Sequence, residues 1–119
     1  MSIPSFRQST SFERRKTCSR LLLEKYTDRI PIILEKSKTD KVLPTINKYK
    51  YLVHQELTIA GLLQLIRSEL NINESLSIYI SINSNIILSG SQTINQIYNE
   101  HHDEDGFLYL NYCGENVFG

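Results

Sequence analysis

Tyr26-Thr27-Asp28-Arg29-Ile30-Pro31-Ile32-Ile33-Leu34-Glu35 is the stretch that places the rest of the chain. Pro31 has no amide hydrogen and forbids a helix from running through it. Ile30, Ile32 and Leu34 alternate with Pro31, Ile33 and Glu35, the two-residue period of a strand. Upstream, Ser11-Phe12-Glu13-Arg14-Arg15 opens a helical stretch to about Tyr26. Ser11 can cap it, and Cys18, Leu21, Leu22 and Tyr26 recur along one helical face. Downstream, Ser37 to Asn47 is polar around Pro44 and reads as a loop or hairpin connection. Tyr49-Lys50-Tyr51-Leu52-Val53 alternates among good strand formers and is a second strand. Lys48 and Lys50 suit an exposed sheet edge, where charge discourages chance pairing.

Further along, Thr58 can cap a helix whose broad apolar face is Ile59, Leu62, Leu63, Ile66 and Leu70. Ile78, Ile80 and Ile82 alternate with Tyr79 and Ser81, and Asn83-Ser84-Asn85 supplies a turn before Ile86-Ile87-Leu88. Thr93 starts a short helix with Ile94, Ile97, Tyr98 and His101 in helical register. Phe107 to Tyr112 is a last strand, and Gly114 to Gly119 a tail. The order helix, two strands, helix, two strands, helix, strand describes an α+β fold with one mixed sheet packed on helices.

The length of 119 residues suits one domain, and 40% hydrophobic content with 22% charged excludes global disorder. Cys18 and Cys113 are too few for a disulfide scaffold and fit no zinc spacing. No apolar run approaches the roughly 18 residues that cross a bilayer, and Met1-Ser2-Ile3-Pro4 has no signal-peptide core, so the expectation is a cytosolic, reduced protein. If it meets a membrane, something must attach it there. Net charge is zero but divided: residues 1–50 carry 12 Lys/Arg against 5 Asp/Glu, residues 51–119 carry 1 against 8. A basic N-terminal face would steer acidic peptides, anionic lipid or an acidic tubulin tail. Nucleic acid is not expected, since no aromatic RNA-binding motif or zinc-finger spacing appears.

Phe12-Glu13-Arg14-Arg15, Tyr26-x-Asp28-Arg29-Ile30-Pro31-Ile32-Ile33, Lys50-Tyr51-Leu52-Val53, Leu65-Ile66-Arg67, Ile97-Tyr98-x-Glu100-His101-His102-x-Glu104-Asp105 and the Val117-Phe118-Gly119 end resemble, in order, the autophagy ubiquitin-like modifiers of the GABARAP and microtubule-associated light-chain-3 type. The resemblance implies a ubiquitin-like β-grasp with two additional N-terminal helices. It divides the chain into a helical extension (1–27), a β-grasp core (28–113) and a flexible conjugation tail (114–119). Residues 1–11 carry no pattern of their own that assigns a helix. The family is one of modifiers, not enzymes, and needs no cofactor.

The resemblance assigns Gly119 as the point of conjugation to phosphatidylethanolamine, with Phe118 recognised by the processing and conjugating enzymes. A terminal glycine carboxylate has no side chain around it, so it can thread narrow clefts, be adenylated, pass to cysteine thiols and end as an amide. Two acyl chains, at about 0.8 kcal/mol per buried methylene, would then anchor a chain that has no membrane span. The implied partners are activating and conjugating enzymes, a deconjugating cysteine protease and receptors carrying acidic-flanked aromatic-x-x-aliphatic peptides. The free protein would be cytoplasmic and the lipidated form autophagosomal. Such peptides add as a strand to the edge around Lys50 to Val53. The aromatic pocket implied is Cys18, Leu22, Pro31, Lys50, Leu52 and Phe107; the aliphatic pocket is Tyr51, Val53, Leu57, Leu62 and Leu65; Arg29, Lys48 and Arg67 meet the acidic flank. Departures from the family pattern are Cys18 for an acidic residue, Glu69 for a basic one, His54 for a proline and Leu62 for a phenylalanine. Tyr79 and Ser81 stand where two aromatics are common. A non-conjugated adaptor of the same fold, binding tubulin or trafficking proteins through its basic N-terminal helices, is the alternative, with Arg14 and Arg15 the residues whose mutation tests it.

His101-His102-Asp103-Glu104-Asp105 invites a metal reading, but adjacent helical histidines point about 100° apart and rarely share one zinc. An enzyme built on Cys113 and a histidine has no triad-like spacing behind it, and Cys113 reads as a small buried side chain.

Overall fold

The computed structural model describes residues 4–72, 75–83 and 86–114. Two helices come first, α1 (Phe6–Ser9) and α2 (Phe12–Lys25). They are followed by β1 (Arg29–Lys36), β2 (Lys50–His54), α3 (Ile59–Leu70), β3 (Tyr79–Ile82), β4 (Ile86–Ile87), α4 (Ile94–His101) and β5 (Leu108–Cys113). The sheet order is β2-β1-β5-β3-β4. β1 and β5 pair in parallel, with Ile33 beside Tyr109, and the other pairs are antiparallel. This is the mixed sheet with helices that the hydrophobic pattern predicts, and the expected helix starts Ser11, Thr58 and Thr93 each accept a backbone N–H from the first turn. Of the Asn83-Ser84-Asn85 turn, only Asn83 lies among the described residues; its φ of 56° is the left-handed geometry that asparagine tolerates.

The central strand β1 is buried on both faces, which is why its sequence is nearly all apolar. Ile30, Ile32 and Leu34 enter the main core with Tyr51, Val53, Ile59, Leu62, Ile66 and Tyr112. Ile33 faces the other way, into a smaller cluster with Phe6 and Phe107, flanked by Cys18, Leu22 and Tyr109. The sheet is thus covered on one face by α3 and α4 and on the other by α1 and α2. The 37–47 connection is a loop, pinned by the Tyr112 hydroxyl, which donates to the Pro44 carbonyl and accepts from the Ile46 N–H.

The two N-terminal helices are those the resemblance implies, and one residue, Leu21, departs from the sequence reading. The short α1 is a separate helical turn, closed by a capping box in which Ser5 and Gln8 satisfy each other's backbone N–H. Leu21 does not join the inward face of α2: it is 53% exposed, whereas Cys18, Ser19, Leu22 and Tyr26 turn toward the protein. Leu21 sits about 100° round the helix from Leu22, and the inward stripe is narrow enough to leave it in water.

The helices are clamped by one buried carboxylate. Asp105 is fully buried and accepts from Arg15 Nε (2.8 Å), the Tyr109 hydroxyl and the Phe107 N–H. Its carbonyl accepts from the Ser19 hydroxyl. At Gly106, φ is +91° and a Cβ would collide with Ser19 Oγ, so only glycine lets α2 come this close. Next door, Arg7 of α1 reaches Asp103 at 2.6 Å and lies 3.9 Å over the Tyr109 ring.

Removing one partner of a buried pair strands the other charge, so Arg15→Ala should lower unfolding free energy by about 3 kcal/mol in urea titrations. Arg15→Ala with Asp105→Ala should cost clearly less than the sum of the two. Tyr51, Tyr98, Tyr109 and Tyr112 all have raised pKa values, in each case chiefly because burial disfavours the phenolate, and Tyr51 is pushed up to about 12. The folded state therefore holds these protons more tightly than the unfolded chain. Stability should be full below the unfolded tyrosine pKa near 10 and fall as pH rises above it, which urea titrations between about pH 8 and 11 would read.

Candidate functional site

β2 is a terminal strand, so one side of its backbone has no neighbouring strand among the described residues. Its pairing with β1 sets Pro31 beside Leu52 and Ile33 beside Lys50. Lys50 and Leu52 therefore face α2, while Tyr51 and Val53 face α3 and enter the main core. The turn after β2 is held by α4: the Leu57 carbonyl accepts from the Ile94 N–H at 2.8 Å, and the Ile59 N–H donates to the Gln92 carbonyl at 2.9 Å.

On the α2 face, the six residues assigned to the aromatic pocket come together. Leu22 and Cys18 descend from α2, Pro31 and Leu52 form adjacent rungs, and Phe107 lies fully buried beneath as a floor. Lys50 spans the opening: its ammonium lies 3.8 Å from Cys18 Sγ and 5.3 Å over the Phe6 ring. Phe6, which sequence reasoning missed, packs edge-on against Phe107 at 5.3 Å and tilted against Tyr49 at 5.8 Å. The Ser5-x-x-Gln8 capping box was the one local signal for it.

On the α3 face, Tyr51, Val53 and Leu62 are buried, with Leu57 and Leu65 half-buried around them. Leu62, at 0% exposure, is core rather than contact surface, so Leu57 and Leu65 are the side chains left at the rim. The Tyr51 hydroxyl is buried without a hydrogen-bond partner, and the Lys48 ammonium lies 4.8 Å over its ring. Of the three cations assigned to an acidic flank, Arg29 and Lys48 are exposed, while Arg67 is half-buried with Nη1 buried and unpartnered. Arg14 is exposed, but Arg15 is spent on Asp105, so the pair named for an adaptor surface reduces to one arginine. Two shallow depressions lie along α2, one between α2 and the α4–β5 turn at Ser19, Leu23 and Glu104, the other at Arg14, Thr17, Cys18 and Leu21, sharing Cys18 with the assigned aromatic pocket.

Among the described residues, no group of three or more His, Cys, Asp or Glu side chains could hold a metal ion. Cys113 is buried at the end of β5. No helix of the described residues is long and apolar enough to cross a membrane. Phe118 and Gly119 lie outside the described residues.

A family model described as "Autophagy protein Atg8 ubiquitin like" matches residues 13–119. The chain belongs to the Atg8 family. It is 44% identical over 115 residues to Autophagy-related protein 8 of Schizosaccharomyces pombe, covering 96% of this chain and 93% of that one. It is 41% identical over 116 residues to Autophagy-related protein 8 of Mycosarcoma maydis, covering 97% and 96%. The crystal structure of Trypanosoma brucei ATG8 superposes with a TM-score of 0.88 at 30% identity, covering 99% of this chain and 100% of the other. The Atg8 relationship bears out the family resemblance read from the six strings and the ubiquitin-like fold it implies.

Because Cys18 is half-exposed and Cys113 buried, iodoacetamide should label Cys18 at least tenfold faster in the native protein, with both equal in urea. Phe6→Ala should release α1, costing roughly 2–3 kcal/mol of the burial of an aromatic ring and speeding amide exchange in residues 6–15 while leaving α3 protected.

Proposed function

We propose that this Atg8-family chain is a ubiquitin-like modifier of autophagy, conjugated through Gly119 to phosphatidylethanolamine on autophagosomal membranes. It recruits cargo receptors by strand addition to β2. The observation that carries the receptor half is the free β2 edge with apolar side chains on both of its faces. In an added strand, residues three apart point to opposite faces. An aromatic-x-x-aliphatic peptide therefore presents its aromatic residue to the Lys50 and Leu52 face, and its aliphatic residue to the Val53 and Leu57 face. Main-chain hydrogen bonds along β2 supply affinity, and the two pockets supply specificity. Lys48 and Lys50 give the acidic residues before the aromatic one their counter-charges, whereas Arg29, assigned to the same flank by the resemblance, pairs with His54 at the opposite end of β2.

The family match running to Gly119 supports the conjugation half. The chemistry is amide formation between the glycine carboxylate and the lipid amine, after activation by ATP and transfer between enzyme thiols. Activating and conjugating enzymes and a deconjugating cysteine protease are its partners. The free protein is cytoplasmic. With no membrane-crossing helix among the described residues, two acyl chains joined at Gly119 are what hold it to a membrane.

A reconstituted reaction tests this: the chain, cognate activating and conjugating enzymes, ATP and phosphatidylethanolamine liposomes, with Gly119→Ala as control. The expected result is an adduct of lipid mass on the native chain and none on the control. No adduct, while a known family substrate reacts in the same tube, overturns the modifier reading in favour of an adaptor. For the groove, Leu52→Ala should weaken an acidic-flanked aromatic-x-x-aliphatic peptide at least tenfold in fluorescence anisotropy, without altering the circular dichroism spectrum.

A further inference from the structure

Glu69 lies on the same stripe of α3 as Leu62 and Leu65, seven and four residues further on, and it is exposed to solvent. It extends the line of side chains that borders the α3 face of the β2 edge. Its carboxylate is close enough to the Tyr51 hydroxyl to help keep that phenol protonated. Among the described residues it forms no ion pair. Arg67, two residues earlier, points roughly 160° away around the helix, so it does not neutralise Glu69. Lys48 stands at this end of the strand, its ammonium 4.8 Å over the face of the Tyr51 ring.

Strand direction follows from the order of the pockets. The aromatic pocket sits beside Lys50 and Leu52, and the aliphatic pocket extends past the end of β2 through Val53 and Leu57. An aromatic-x-x-aliphatic strand placed on both runs parallel to β2. Its first intervening residue then shares the α3 face with the aliphatic residue two places later. That first residue falls beside Tyr51, the end of the groove that Glu69 borders.

We propose that Glu69 is a specificity-determining residue of this groove, selecting partner peptides with Lys or Arg, rather than Asp or Glu, immediately after the aromatic residue. The proposal rests on the strand-addition reading of β2. A favoured peptide is acidic before its aromatic residue and basic just after it.

The test is fluorescence anisotropy at low ionic strength with the full chain and two labelled peptides, Glu-Glu-Trp-Lys-Thr-Leu and Glu-Glu-Trp-Glu-Thr-Leu. A solvent-exposed charge contact predicts about a threefold to fivefold preference for the lysine peptide. Glu69→Gln should abolish that preference and Glu69→Lys should invert it. Added salt at about 0.5 M should shrink it in the native chain. Equal binding of both peptides to the native chain, or a preference that survives Glu69→Gln, overturns the role of Glu69 and leaves the groove standing. Binding of neither peptide to the native chain overturns the strand-addition reading and this proposal with it.

Discussion

A carboxylate with no access to water has to be surrounded by donors, and Asp105 is where that requirement organises the molecule. Arg15 comes from α2, the Tyr109 hydroxyl from β5 and the Phe107 N–H from the turn between α4 and β5. Ser19 closes on the Asp105 carbonyl, across a glycine that has no Cβ to keep the helix away. With α2 held this way, Cys18 and Leu22 are held over Ile33 and Phe107. One wall of the candidate aromatic pocket is thus fixed by a network on the same inward face of the helix, about one turn nearer its start. The geometry of a peptide groove and the solvation of a buried charge are parts of one constraint.

The central pair, β1 and β5, divides the apolar residues into two unequal clusters. The larger lies under α3 and α4, the smaller under α1 and α2. Each needs a lid, and the lids meet the sheet edge from opposite sides. Because β2 is terminal, its side chains alternate between the α2 and α3 faces while one side of its backbone has no neighbouring strand among the described residues. Binding an extended peptide there needs no deep cavity of its own, since the strand edge supplies the backbone partners.

Much of this was written in local sequence. Pro31 and its flanking isoleucines marked a strand buried on two faces, and Thr58 and Thr93 marked helix starts that the structure reproduces. These are short-range signals, set by backbone chemistry and by periods of two or 3.6 residues. What local pattern did not carry was pairing at a distance. Arg15 resembles any helical surface arginine until Asp105, ninety residues later, takes it up. Phe6 is one aromatic residue in a polar segment, and only the fold brings it against Phe107 and under Lys50. Leu21 has the right spacing for a core face and is nonetheless exposed, because α2 lies on the sheet by a stripe narrower than its apolar residues. The pockets assigned by resemblance gather on the predicted edge, yet Leu62 and Phe107 prove to be supports beneath the surface.

Asp40 has a quieter role, in the loop that sequence reading left featureless. Its carboxylate accepts from the Leu43 N–H at 2.9 Å and the Gly114 N–H at 2.7 Å, so the end of β5 is moored to the body of the protein. Gly119 lies five residues beyond Gly114. Even fully extended, at no more than about 3.6 Å each, they span at most about 18 Å. Under the proposed conjugation, a group joined at Gly119 would be leashed within that distance of Gly114, and a membrane attached there would lie no further from this corner than so short a tether reaches.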